Sequence, residues 1–227
     1  MGRLTDADLL TAWERGCAEP RPARLLALLA AVSSSSAHEL ASLPLGERDR
    51  RLLALRQRLF GAQFVGVAAC ARCAEPVEVV FDSGDLPAVE AACAERVPVR
   101  GGQARMPTTF DLVAAHNARD AGAARAMLVE RCIGSACEPQ DVDAAASALA
   151  EADPFLDLTV GTACTRCGTA LTLSFDVEAF LWSELEAWAR RALRTIATLA
   201  RAFGWSESEI LAMSPWRREA YLRIAVA

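Results

Sequence analysis

Two segments 94 residues apart repeat one another, and they constrain this chain more than any other feature. The first, from Cys70, reads CARCAEPVEVVFD, and the second, from Cys164, reads CTRCGTALTLSFD. Both follow C-x-R-C, three spacer residues, an apolar-x-apolar run, then Phe-Asp, pairing Arg72 with Arg166, Phe81 with Phe175 and Asp82 with Asp176. Phe64 with β-branched Val65 and Val67 precedes the first pair and β-branched Val77, Val79 and Val80 follow it, so each copy is predicted to be a β-hairpin tipped by a cysteine knuckle. Two residues between cysteines let both thiolates face one ion. A tetrahedral Zn²⁺ needs four sulfurs at about 2.3 Å, so two knuckles complete one site. Cys70, Cys73, Cys164 and Cys167 are therefore expected to bind one structural zinc between distant parts of the chain. Two separate C-x-x-C redox centres are the competing reading, along with buried thiols that bind no metal. Redox pairs usually sit at a helix N-terminus, which lowers the thiol pKa, whereas a strand follows each pair here.

The separation exceeds that of an ordinary zinc ribbon, so the ribbon is expected to be split by a helical insertion. The fold class that follows is α+β, mostly helical, in three stretches: a helical region over 1–62, the split ribbon with its insertion over 63–176, and a helical segment over 177–227. Helical spacing predicts helices over 4–15, 23–32 and 47–60, the last presenting a dense arginine face outward. A short helical stretch is expected from Leu86 and one strand over 97–106, loosened at Gly101-Gly102. Thr108-x-x-Asp111 reads as a helix-start box, followed by helices over 109–117, 121–132 and 141–152. Phe155 to Val160 reads as a strand into Cys164, with 171–175 returning. A long helix over 177–203 and two short ones complete the chain, Ser206-x-x-Glu209 and Ser214-Pro215 marking their starts.

All 24 basic residues are arginine, so an arginine at any one position carries less meaning than usual. The net charge of −5 argues against broad binding to nucleic acid or anionic membrane. No apolar run reaches the ~18 residues of a membrane span, and the N-terminus lacks the pattern of a signal peptide. A cytoplasmic protein is expected, in which cysteines serve as metal ligands or buried thiols. Cys17, Cys93, Cys132 and Cys137 share no spacing, and Cys132 reads as a packed thiol. His38 and His116 are the two histidines, and no Ser/His/Asp order, H-E-x-x-H helix or phosphate loop accompanies them. Four sulfurs leave no open position for a catalytic water, so no enzyme is expected.

The C-terminal GWSESEILAMSPWRREAYLRI combines aromatic anchors with arginine, and Trp205, Trp216, Arg217, Arg218 and Tyr221 are the candidate partner-binding residues. This segment resembles the C-terminal signature of T4-type phage baseplate hub assembly proteins. The wider arrangement of PLGERDRRLLALRQRLFG, RMPTTFDL, two knuckles and FLWSELEAWARR is similar to zinc-knuckle baseplate-related proteins of actinobacterial contractile injection system clusters. That resemblance implies a non-enzymatic assembly factor or minor component of a contractile tail, with baseplate or hub proteins as partners. The front half, absent from the short T4-type proteins, departs from it. The alternative is a zinc-ribbon regulator that binds nucleic acid through Arg217, Arg218 and Arg223 in a helix-turn-helix-like end. A thiol redox enzyme is a third reading.

Overall fold

The computed structural model describes residues 4–87, 95–100 and 102–226. It is an α+β structure in which ten helices accompany three antiparallel two-stranded hairpins among the described residues. Helices α1 (Asp6–Cys17), α2 (Leu26–Val32), α3 (Ala37–Ala41) and α4 (Leu45–Phe60) precede the first hairpin, β1 (Gln63–Ala69) with β2 (Pro76–Asp82). A small hairpin follows, β3 (Arg96–Val99) with β4 (Gly102–Arg105). Helices α5 (Thr109–Ala115), α6 (Ala121–Ile133) and α7 (Pro139–Ala152) lead to the third hairpin, β5 (Thr159–Ala163) with β6 (Ala170–Ser174). The chain ends in α8 (Val177–Phe203), α9 (Glu207–Ala212) and α10 (Pro215–Ala225).

The helix starts follow local chemistry. Thr5, Ser36 and Ser206 each accept a hydrogen bond from the amide three residues on, and the acid there bonds back to the cap amide. The four-serine run thus ends α2 and, through Ser36, starts a short helix that spacing did not reveal. Two strand readings change. Residues 97–106 are a hairpin and not one strand, because the chain turns back at Arg100. Pro154–Asp157 is a 3₁₀ turn, since Asp153 accepts a hydrogen bond from the Phe155 amide and Pro154 fits a first helical position, so the strand begins only at Thr159. Most of the stretch expected to be helical from Leu86 lies outside the described residues.

One core joins both ends of the chain. Leu52 and Leu53 of α4 pack with Leu28 of α2 and with Leu181 and Leu185 of α8, all fully buried. The expected stretches 1–62 and 177–227 therefore share one apolar interior. The insertion has a smaller core of its own, built from Val97, Ala104, Met106, Cys132 and Leu149. Cys132 is a packed thiol, which burial pushes up to about 11.

The arginines of α4 point outward only in part, Arg51 and Arg58 being exposed. Arg48, Arg50 and Arg56 are each at most 4% exposed, and each meets acids brought from elsewhere in the chain. Arg56 grips Glu184 of α8 through two bonds of 2.6 and 2.8 Å while lying 3.9 Å over the Phe64 ring. Arg50 pairs with Asp153 at 2.6 Å. Arg48 spans its neighbour Asp49 and Glu178 of α8, and donates to the Pro22 carbonyl and to Thr109 Oγ1. The insertion is fastened to the same helix, since the Leu45 amide donates to the Pro107 carbonyl at 2.8 Å. Behind it, the buried Asp111 carboxylate accepts from Arg105, Arg131 and both donors of Thr108.

Burial raises Glu178 to about 7 and Asp49 to about 6, despite Arg48. Both lie above the unfolded values of about 4.3 and 3.9, so the folded state keeps protons that the unfolded state has lost. The resulting penalty is absent below about pH 4, grows between the unfolded and folded values and is complete above about pH 7. Glu178→Gln should therefore match wild-type stability near pH 4 and exceed it at pH 8.5 by on the order of 3 kcal/mol. Thermal melts across that range check this, and a pH-independent difference between the two proteins excludes it. Asp111 behaves oppositely: burial pushes it up, but the bonds from Arg105, Thr108 and Arg131 together outweigh that and hold it below the usual carboxylate range, so its contribution is lost only in strong acid.

Candidate metal centre

The repeat in sequence is a repeat in backbone. In the first knuckle the Cys70 amide donates to the Glu75 carbonyl at 2.9 Å and the Ala74 amide to the Cys70 carbonyl at 2.8 Å. In the second, Cys164 donates to Thr169 and Gly168 to Cys164, both at 2.9 Å. The hairpins run from Ala69–Pro76 and Ala163–Ala170 pairs in the same register. Each knuckle turns through a left-handed residue, Gly168 at φ 69° and Ala74 at φ 56°. Only glycine adopts that conformation without a cost of roughly 1–2 kcal/mol. No atom lies within 4 Å of where a Gly168 side chain would project, so Gly168→Ala should cost about 1–2 kcal/mol purely through the backbone. Ala74→Gly relieves the same strain in the first knuckle and should leave stability equal or higher. Paired denaturant titrations check both, and a destabilising Ala74→Gly defeats the strain account.

The paired Phe-Asp residues have separate tasks. Phe81 and Phe175 meet edge to face at 5.0 Å, and both contact Phe64. Asp176 then caps α8 by accepting from the Ala179 amide, and Asp82 forms a capping box over the turn at Ser83–Asp85. The bases of the hairpins are thus joined by aromatic packing and their tips by sulfur. Between the two, Val77 and Leu171, which also correspond in the repeat, bury with the cysteines.

The four Sγ atoms lie within 4.8 Å of one another. Cys70–Cys167 and Cys73–Cys164 are 3.7 Å apart and Cys73–Cys167 is 3.6 Å, each contact crossing between knuckles. A tetrahedron with metal–sulfur distances of about 2.3 Å has edges of about 3.8 Å. A disulfide would need about 2.05 Å, and these four cysteines are free. The spacing matches four thiolates around a single ion, and Cys70, Cys73, Cys164 and Cys167 could hold one. Amides of Cys73 and Arg72 lower the Cys70 thiol, and bonds from the Thr169 hydroxyl and amide hold Cys167 at about 6. The Glu75 amide also favours the Cys73 thiolate, but desolvation and its sulfur neighbours, which need its proton, push it up to about 12. Without a cation the cluster cannot carry four negative charges, and a divalent ion removes that obstacle. Across the tips Arg166 pairs with Glu75 at 2.9 Å.

The C-terminal candidate residues divide. Trp205 stacks on Phe203 at 4.5 Å and meets Tyr221 at 4.7 Å, inside a cluster with Leu10, Ile196 and Ile210. Arg218 is buried and paired with Asp6 of α1, closing α10 onto the N-terminus. Trp205 and Tyr221 are thus half-buried and Arg218 buried, each with partners inside the fold, whereas Trp216 and Arg217 are exposed. His38 packs at 5.1 Å from the Phe110 ring, and His116 lines an open cavity of about 530 Å³ with Arg21, Arg24 and Trp182. Cys17 is exposed, Cys137 is half-buried and Cys93 lies outside the described residues. No helix among the described residues is long and apolar enough to cross a membrane.

No protein-family model, curated protein or solved structure matches this chain.

Proposed function

We propose that the four-cysteine cluster binds one structural Zn²⁺ and that the chain is a non-enzymatic assembly factor or minor baseplate component of a phage tail-like contractile injection system. The sulfur tetrahedron carries the first part. Sulfur donors at this spacing suit zinc, and a site filled by four of them leaves no position for a reacting water. The chemistry of the ion is then to hold two hairpins together, while function falls to surfaces held in register. The second part rests on the resemblance of the C-terminal segment and of the RMPTTFDL and PLGERDRR segments. The fold joins these last two directly, since Arg48 of the latter bonds Thr109 of the former.

Co-expression with the tube, sheath and baseplate proteins of such a tail, followed by purification, should retain at least one of them. Retention of none of them, with salt-sensitive DNA binding weakened by Arg217→Ala and Arg223→Ala, would instead establish the zinc-ribbon regulator. Reduction of a disulfide substrate by the purified chain would establish the redox enzyme.

A further inference from the structure

Trp216 is 82% exposed, the largest side chain among the exposed apolar residues of the described chain. It shares one face of α10 with Ala220 and Ile224, one turn apart each, and Ile224 is also exposed. The other face is spent on the fold through Arg218, Tyr221 and Leu222. An indole held in water on an ordered helix is a knob without a hole.

A hole of matching character lies on the same chain. Between the first and third hairpins is an apolar groove of about 250 Å³, lined by Val67, Val79, Phe81, Val160, Leu173 and Phe175. It is smaller than the ~300 Å³ at which small-molecule pockets begin, and suits one large side chain. From Val67 the apolar surface continues onto the outward face of the first hairpin. Val65, Val67 and Val80 are exposed on the first hairpin, where the repeat places Thr159, Gly161 and Ser174 on the third. The second copy of the repeat shows what these positions take when they simply face water.

Charge separates the two features. From Arg190 to the C-terminus there are seven arginines and three glutamates, a surplus of four, which leaves the rest of the chain at −9 against −5 overall. Arg217 and Arg223 flank the knob, and Arg190, Arg191, Arg194 and Arg201 are exposed on α8. Beside the groove-lining residues stand exposed Glu78, Asp82 and Asp176, and no arginine adjoins any of them in sequence.

We propose that the Trp216 face of one copy docks into the inter-hairpin groove of a second copy. The two patches differ, so the contact is head-to-tail and the pair keeps one free knob on one copy and one free groove on the other. The contact needs no tail protein and is read on the pure chain, so it stands or falls separately from the assembly role.

Two variants test it by sedimentation velocity over a concentration series. Trp216→Ala removes the knob, and Val67→Lys blocks the groove, Val67 being 73% exposed and so unnecessary to the fold. Wild type should associate in a concentration-dependent way that weakens with salt, and each variant alone should associate at least about thirtyfold more weakly. Mixed in equal amounts, the two variants should form a heterodimer that grows no further, because one good knob and one good groove remain. Monomeric wild type at every concentration overturns the proposal. So does undiminished association of Trp216→Ala, or a mixture that stays monomeric.

Discussion

Replacing Cys164 with serine is expected to release the metal from the purified protein and to lower its thermal midpoint by roughly 10 °C or more. Cys164 is buried at the centre of the cluster, so no water can take its place without opening the knuckle. The loss should be larger than one ligand implies. β5 and β6 form a hairpin of five residue pairs, and an isolated two-stranded hairpin is marginal in water. With the proposed ion bound, its tip is held to the first hairpin by that metal and by the exposed Arg166–Glu75 pair, which contributes little. Without the ion the aromatic packing at the base remains, so the core helices should keep their far-ultraviolet signal while the tips loosen. Metal analysis should give about one zinc per chain in wild type and in Cys132→Ser, and none in Cys164→Ser. A metal-free wild type whose melting ignores chelator would remove the site altogether.

The second large effect is expected at Asp153. Asp153→Ala should cost about 3–5 kcal/mol, because it leaves the Arg50 guanidinium buried without its counter-charge. Asp153 is fully buried, and it holds Arg50 through bonds of 2.6 and 3.3 Å while also accepting from the Phe155 amide. Gly46 makes room for it, since a side chain there would fall 1.9 Å from the carboxylate. Arg50 in turn lies 4.6 Å over the Phe155 ring. The pair therefore locks the insertion to α4 at the point where the chain heads for the second knuckle. Replacing both partners with apolar residues, Arg50→Met with Asp153→Leu, should recover much of the loss, because a buried pair can often be exchanged for packing. Chemical denaturation of the single and double variants measures both. A single variant that loses under 1 kcal/mol would show that Arg50 finds other solvation.

Much of this architecture was legible in the chain itself. The 94-residue offset gave both knuckles, all four sulfur positions and the hairpins that carry them, because the spacing of a metal ligand pair and the alternation of a strand are local properties. Helix starts were equally local. Thr108-x-x-Asp111 and Ser206-x-x-Glu209 form the boxes that their spacing implied, and α8 spans the residues its periodicity marked. Errors fell where local signals conflict or where distant groups decide. A run of Phe, Leu and Val before Cys164 looks extended, yet Asp153 and Pro154 curl its first part into a turn. Of the C-terminal aromatics read as a docking surface, Trp205 and Tyr221 pack on Phe203 at the end of α8, where the turn at Gly204 brings the three rings together.

Arginine shows the division most clearly. A chain with no lysine gives each arginine little individual weight, and helical spacing alone places those of α4 outward, where Arg51 and Arg58 lie. What turned Arg48, Arg50 and Arg56 inward was the arrival of Glu178, Asp153 and Glu184, which lie 103 to 130 residues further along. The sequence by itself determined that two knuckles exist and that their four thiols suit one ion, because ligand type and spacing are written within four residues. Only the tertiary structure decided which charges are buried and which aromatic, Trp216, stays in water, because burial is a property of what else arrives at the same place.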